Sequence, residues 1–124
     1  MFAMIGCLFL ITACDEEEKK KETLGSITFW VAEDFGNIEI TLRSSTSGMN
    51  EVNLNGNISS HVTSGTPSCG QDNANGVFTF SGLQTNLNGF SCSYSYTATN
   101  EEGTWEDMVI LSDNINCITI KLTR

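Results

Sequence analysis

The segment from Phe90 to Thr99 alternates strictly between two kinds of side chain. Apolar or aromatic residues and a cysteine occupy one set of positions, and Ser or Thr occupies every position of the other set. Successive side chains of a β-strand point to opposite faces, so the alternation places the first set in a core and the hydroxyl groups in water. The segment therefore predicts a half-buried strand of an antiparallel sheet.

The same period of two recurs along most of the chain from Ser26 onward. Further strands are predicted near residues 26–31, 38–43, 52–54, 58–62, 77–83, 105–111 and 118–122. With residues 90–99 these are eight segments, of which 52–54 is the weakest. They amount to about seven strands with turns roughly every ten residues, which is typical of an antiparallel β-sandwich. We expect the first two runs to form a hairpin and Asn55-Gly56 to form a tight turn. No segment shows a sustained helical period, so the predicted domain, residues 25–124, is all-β.

The charge of the chain limits its partners. Six Lys and Arg residues stand against fifteen Asp and Glu residues, which gives a net charge of −9. Such a surface repels phosphate backbones, so we exclude nucleic acid as a partner. It also repels anionic lipid head groups, so attachment to a membrane must come from something other than charge.

An apolar run, Phe2 to Ile11, precedes a charged segment at the start of the chain. About ten apolar residues suit the central part of a signal peptide and are well short of the ~20 that span a bilayer. The alternative is a buried first strand or core helix. No Lys or Arg precedes the run, although signal peptides normally carry one there. We expect translation to begin upstream of Met1, with a weak signal as the alternative.

The residues Ile11-Thr12-Ala13-Cys14 resemble the lipobox of a bacterial lipoprotein precursor, with an aliphatic residue, two small residues and a cysteine. The resemblance implies a signal peptide over residues 1–13, cleavage before Cys14 and a diacylglyceryl thioether on its sulfur. Two or three acyl chains anchor a protein firmly where one does not. We therefore expect a membrane anchor through lipid on Cys14 and no other cofactor.

The segment after Cys14 is strongly charged and, as far as Thr23, has no apolar residue. Its composition predicts a disordered tether over residues 14–24, with a solvated helical turn as the alternative. The acidic cluster resembles the export signal of surface lipoproteins in the Bacteroidetes, and its residues are Asp15, Glu16, Glu17 and Glu18. That resemblance implies an outer-membrane lipoprotein exposed at the cell surface. A protein that faces the periplasm is the alternative.

The domain itself also carries a resemblance. Its motifs are Gly25-Ser26-Ile27-Thr28-Phe29-Trp30, Ser64-Gly65-Thr66-Pro67-Ser68-Cys69-Gly70, Tyr94-Ser95-Tyr96-Thr97-Ala98, Gly103-Thr104-Trp105 and the late Cys117. They are similar to those of small flavobacterial lipoproteins. Leu83, Gly89 and the tyrosine-rich strand that follows resemble a corner of transthyretin-like and PEGA-like sandwiches. The resemblance implies such a fold and no particular activity.

Five cysteines have few roles to fill. Cys7 belongs to the predicted signal peptide and Cys14 to the lipid, which leaves Cys69, Cys92 and Cys117. Because an exported domain is oxidised, we expect one disulfide and one buried thiol. Cys69–Cys92 is the preferred pair and Cys69–Cys117 the alternative. The chain has no Cys-x-x-Cys and a single His, so we expect no metal site.

No catalytic group stands out. His61 is the sole histidine, and no Ser lies in a Gly-x-Ser-x-Gly elbow. The oxygen-rich segment 71–76 lacks the spaced acids of a calcium loop. Trp105 shares its parity with Val109 and is expected in the core. Trp30 has the opposite parity to Phe29, so it is either covered or an exposed aromatic that contacts a ligand.

These observations favour a non-enzymatic binding or structural module. It would act through a protein partner, as an accessory subunit of an outer-membrane or cell-surface assembly. The alternative is a surface glycan-binding module that uses Trp30 and asparagine-rich loops. A hydrolase is the third and weakest interpretation. A large apolar patch without a groove would support the first function. A solvent-exposed aromatic row beside a groove would support the second, and a cleft joining His61 to an acid and a Ser would support the third.

Overall fold

A computed structural model describes residues 23–72 and 74–124 of the chain. These residues form seven strands in two sheets. The strands are β1 Leu24–Trp30, β2 Ile38–Ser44, β3 Asn53–Ile58, β4 Val77–Gln84, β5 Cys92–Asn100, β6 Gly103–Leu111 and β7 Cys117–Lys121. The prediction of an all-β sandwich is confirmed. The predicted signal peptide, Cys14 and the acidic residues 15–18 lie outside the described residues.

The two sheets have different sizes. One has the order β4-β1-β7 and the other the order β3-β2-β5-β6. Every neighbouring pair is antiparallel except β1 and β7, which run parallel with Ser26 opposite Cys117. The last strand therefore lies beside the first and closes the smaller sheet.

The predicted hairpin of the first two strands is wrong. β1 belongs to the three-stranded sheet and β2 to the four-stranded sheet, and residues 31–37 cross from one to the other. Both strands have an apolar inner face, with Phe29 and Ile40 fully buried. Alternation shows which face of a strand is buried and does not show which strand lies next to it.

The tight turn predicted at Asn55-Gly56 is also wrong. Gly56 lies inside β3 opposite Ile40, and a Cβ at this position would overlap the ring of Phe78 on β4. The chain instead makes a two-residue turn at Asn88-Gly89, where φ is 54° and 90°. Leu87 and Phe90 close this turn with two backbone hydrogen bonds of 2.8 and 3.0 Å. Positive φ at both central residues is the geometry of a type I′ turn.

Aromatic side chains join the two sheets in the core. The Phe29 ring packs edge-on against Phe80 of its own sheet and Tyr96 of the opposite sheet, with centroids 5.8 and 4.9 Å apart. The Tyr94 hydroxyl donates a 2.7 Å hydrogen bond to the Gln84 carbonyl across the sandwich. Cys92 is buried in the same core. The predicted core face is confirmed for Cys92, Tyr94, Tyr96 and Ala98. The predicted core position of Phe90 is wrong, because this residue precedes β5 and is 73 % exposed.

The strands place the loops at two ends of the sandwich. The tether end, where the described chain begins at Thr23, consists of residues 23–24, 45–52, 85–91 and 112–116. The far end consists of the connections formed by residues 31–37, 59–76 and 101–102, with Asn73 outside the described residues. The two ends differ in their side chains, as described below.

The buried tyrosines give a titration that tests this core. The chain has two tyrosines, Tyr94 and Tyr96, and both are buried. Burial raises the pKa of Tyr94 from 10 to about 12 and, with the nearby Asp107 carboxylate, raises the pKa of Tyr96. We expect the ultraviolet absorbance of tyrosinate to appear well above pH 10 in the folded protein and near pH 10 in denaturant.

The same shift makes folding sensitive to alkaline pH. The folded-state pKa lies above the unfolded value, so the unfolded state loses its proton first as the pH rises. The stabilisation is complete below pH 10 and is lost as the pH rises through the folded pKa, so the free energy of unfolding falls over this range. A tyrosinate midpoint near 10 in the folded protein would contradict the buried placement.

Candidate functional site

The long loop between β3 and β4 lies across the outer face of the three-stranded sheet. A disulfide joins Cys69 of the loop to Cys117 at the start of β7. The Gly70 amide donates a 2.7 Å hydrogen bond to the Thr28 hydroxyl on β1. Thr28 is 0 % exposed, although it points away from the core of the sandwich. The loop therefore covers a sheet face that would otherwise be in water.

The hydroxyl groups beneath the loop form one network. Thr28 Oγ1 lies 2.8 Å from Thr79 Oγ1 on β4, and the Thr79 hydroxyl donates to the carbonyl of Gln71. Each hydroxyl thus has a partner, which removes the cost of burying it. We call the disulfide and this threonine network the loop clamp.

The preferred pairing Cys69–Cys92 is wrong, and the alternative Cys69–Cys117 is the one formed. The Cys92 side chain lies between the sheets, whereas Cys69 lies on the outer side of the smaller sheet. Cys117 has the outward parity of Thr119 and Lys121, and its Cα is 5.9 Å from that of Cys69. This parity was the sequence signal for the correct pair. The expected buried thiol is Cys92.

Trp30 is covered, so its interpretation as an exposed ligand contact is wrong. It lies on the outer face of β1 between Val77 of β4 and Lys121 of β7, and it is 6 % exposed. The ammonium group of Lys121 is 5.1 Å from the centroid of the indole ring. The ring is therefore buried on the outer face of the three-stranded sheet and is not available to stack on a sugar.

His61 lines a cavity of about 260 Å³ at the far end. Ser64 and Gln71 share that cavity, but its described lining contains no Asp or Glu. In residues 23–72 and 74–124, no three His, Cys, Asp or Glu side chains lie close enough to hold a metal ion. No helix of these residues is long and apolar enough to cross a membrane.

Trp105 lies at the edge of the core and is only partly buried. Its indole N–H donates a 2.8 Å hydrogen bond to the Thr123 carbonyl. The Arg124 guanidinium stacks 3.9 Å from the ring centroid and donates to Asn100 Oδ1 at 2.7 Å. Trp105 thus fixes the last residues of the chain to the sandwich instead of forming the centre of the core.

An open groove separates β6 from β7, and we call it the seam. It has a volume of about 290 Å³ and is lined by Tyr96, Asp107, Met108, Val109, Ile110, Ile118 and Ile120. Met108 and Ile110 are 56 % and 59 % exposed. Among the described strands, β6 and β7 lie at sheet edges, where backbone groups can pair with an added strand. The Met108 amide of β6 already donates a 2.8 Å hydrogen bond to Asp107 Oδ1. The seam was not found from the sequence, because it joins residues of two sheets.

Asp107 places one negative charge in this apolar seam. It has the inward parity of Val109 on β6 and lies opposite Tyr96. The pKa of Tyr96 is raised mainly by burial of its side chain and, as a second cause, by the Asp107 carboxylate. An inward charge on an edge strand discourages unselective pairing with other strands.

A second groove follows the opposite side of the sandwich. It measures about 500 Å³ and is lined by Glu39, Ile40, Thr41, Asn55, Gly56, Asn57 and Phe78. Thr41 donates to Asn55 Oδ1 at 3.0 Å, and Asn57 donates to Asn37 Oδ1 at 2.6 Å. The amides are therefore already held in place next to a partly buried aromatic ring.

No protein-family model, curated protein or solved structure matches this chain.

Removal of the disulfide tests the loop clamp. Cys69 and Cys117 are separated by 48 residues, and closing a loop of this size stabilises by about 4 kcal/mol on the chain-entropy model. We expect the double variant Cys69→Ser/Cys117→Ser to unfold at a lower denaturant concentration, with a free energy of unfolding reduced by up to that amount. Cys92→Ala, which keeps the disulfide, is the control for loss of a cysteine. A peptide map that links Cys69 to Cys92 would contradict the assignment.

Proposed function

We propose that this protein is a lipid-anchored outer-membrane lipoprotein that binds a protein partner as a non-enzymatic accessory subunit of a cell-surface assembly. The seam is the observation that carries the binding function. The lipobox residues Ile11–Cys14 support the anchor, and the acidic residues 15–18 support sorting to the surface. The tether joins Cys14 to Thr23, where the described chain begins at the tether end of the sandwich.

The seam offers a partner two kinds of contact. Edge strands β6 and β7 have backbone N–H and C=O groups that an added strand can pair. Met108 and Ile110 present apolar surface beside that edge. Apolar side chains next to a free strand edge are typical of strand addition, where the backbone gives affinity and the side chains give selectivity.

Asp107 narrows the choice of partner. A strand that covers the seam removes this carboxylate from water, and an unpaired buried charge is costly. The partner segment therefore needs a Lys or Arg opposite Asp107, with apolar residues on either side. A segment without Lys or Arg binds less tightly, because it would bury the Asp107 carboxylate without an opposite charge.

A glycan-binding function is the second candidate, and the groove along β2 and β3 favours it. Phe78 offers an aromatic surface, and Glu39, Asn55 and Asn57 offer acceptors and donors at the rim. Sugars are bound by such a combination of ring and fixed polar groups. Trp30, which first suggested this function, takes no part because it is buried.

Substitution of Cys14 tests the anchor. We expect Cys14→Ser to release the protein from the membrane fraction or to stop its maturation, because the serine hydroxyl does not receive the diacylglyceryl group. Membrane fractionation and the mass of the N-terminal peptide measure the outcome. An unchanged membrane-bound fraction would exclude lipidation at this residue.

A charge placed in the seam tests partner binding. We expect Met108→Glu to reduce recovery of the partner at least tenfold when lipidated, tagged protein is purified from solubilised membranes, since burial of a second carboxylate beside Asp107 costs more than 1.4 kcal/mol. Thr104→Glu is the matched control, because Thr104 is exposed on the same strand and face. Equal recovery with both variants would reject the seam. Glycan-array binding that is lost in Phe78→Ala, with no protein recovered, would favour the second candidate.

A further inference from the structure

Three separate segments expose a large apolar side chain at the tether end. Leu24 begins β1, Phe90 follows the Asn88-Gly89 turn, and Ile115 lies in the turn between β6 and β7. Their exposed fractions are 56 %, 73 % and 60 %. Single exposed apolar residues are ordinary, but exposed residues gathered at one end of a domain mark an interaction surface.

The three segments are held together, so the surface is preformed. Thr85 Oγ1 lies within hydrogen-bonding distance of the Thr23 carbonyl oxygen, at 2.6 Å, and of Asp113 Oδ1, at 3.0 Å. Asn86 donates from Nδ2 to the other oxygen of Asp113 at 3.2 Å and accepts from the Gly89 amide at 2.9 Å. Binding through these segments therefore costs little conformational entropy.

The charges of the domain favour this end for contact with lipid. The tether end has two carboxylates, Glu51 and Asp113, and Asp113 is engaged in the network just described. The far end has six carboxylates in or beside its loops, and they are Glu33, Asp34, Glu39, Asp72, Glu101 and Glu102. Lys121 and Arg124 offset only part of that charge. Within residues 23–124, a bilayer with anionic head groups repels the far end more strongly than the tether end. The tether adds five carboxylates and three Lys beside the lipid, so the attraction at this end comes from the apolar side chains and not from charge.

The chain outside the described residues leads to the same surface. From Cys14 to Thr23 there are nine Cα–Cα steps, and a chain of nine steps spans at most about 30 Å. The tether end is therefore the part of the domain attached nearest to the lipid. Attachment converts a weak contact with the bilayer into an intramolecular one, so a few apolar side chains are enough to hold it.

We infer that the tether end is a membrane-docking face, and that Leu24, Phe90 and Ile115 insert into the boundary between the head groups and acyl chains. This inference rests on the proposed lipid anchor at Cys14. Docking fixes the orientation of the domain, so that the far end points away from the bilayer and the seam stands roughly along its normal. The anchored domain then presents its partner-binding edge in one orientation instead of many.

Quenching by brominated lipid tests the orientation. Lipidated full-length protein carrying Phe90→Trp or Glu102→Trp is reconstituted into phosphatidylcholine vesicles with or without bromine on the acyl chains. The parent protein supplies the signal of Trp30 and Trp105 for subtraction. We expect bromine to reduce the fluorescence of the indole added by Phe90→Trp at least twofold. The indole added by Glu102→Trp, at the far end, should be unaffected.

A second variant separates insertion from mere proximity. Leu24→Ser with Ile115→Ser, in the Phe90→Trp background, should reduce the quenching by at least half while the protein still floats with the vesicles. Both side chains are more than half exposed, so the fold should persist, and thermal unfolding checks this.

The other outcomes overturn the inference in distinguishable ways. Flotation with equal quenching of both added indoles, or with none, contradicts docking and leaves the anchor intact. Failure to float, together with an N-terminal peptide that carries no lipid, contradicts the lipid anchor. The docking face is then rejected as well.

Discussion

The loop clamp determines what the rest of this sandwich can do. A three-stranded sheet has little width, and one of its faces already packs against the larger sheet. The Cys69–Cys117 disulfide and the Thr28 and Thr79 hydroxyl groups hold the long loop on the other face. The strand β1 is consequently buried on both sides, with Phe29 on one face and Trp30 on the other. A sheet that is covered on both sides leaves only its edges and ends for contact with other molecules.

The edges and ends of the sandwich differ in the surfaces that they expose. On one side of the sandwich, Phe78 packs on Gly56 and brings the two sheets close together. On the other side the seam stays open, with exposed Met108 and Ile110 beside the edge of β6. The tether end carries Leu24, Phe90 and Ile115, whereas the far end is acidic. The proposed anchor, docking face and partner edge are therefore compatible, because they use different parts of the surface.

Two Asn-Gly pairs show how tertiary contacts override a local signal. Both Asn55-Gly56 and Asn88-Gly89 satisfy the sequence rule for a tight turn. Only the second forms one, with positive φ at both residues. At the first, the neighbouring β2 supplies the hydrogen bonds of a strand, and the missing Cβ makes room for the Phe78 ring. The glycine is needed there for close packing and not for its backbone freedom.

The sequence alone determined most of the strands and their buried faces, since alternation of side chains directly reflects the two faces of a strand. The separate strand predicted near residues 58–62 is wrong, because Asn53–Ile58 forms one strand and residues 59–62 lie in the long loop. It also determined the all-β class and, for the three cysteines that the structure describes, the presence of one disulfide and one buried thiol. Only the tertiary structure decided which strands are neighbours, which cysteines pair and whether Trp30 is covered. These depend on residues far apart in the chain, such as Cys69 with Cys117 and Ser26 with Cys117, whose proximity no local pattern encodes. The seam and the docking face likewise could not be predicted from a local pattern, because each is formed by side chains from separate segments of the chain.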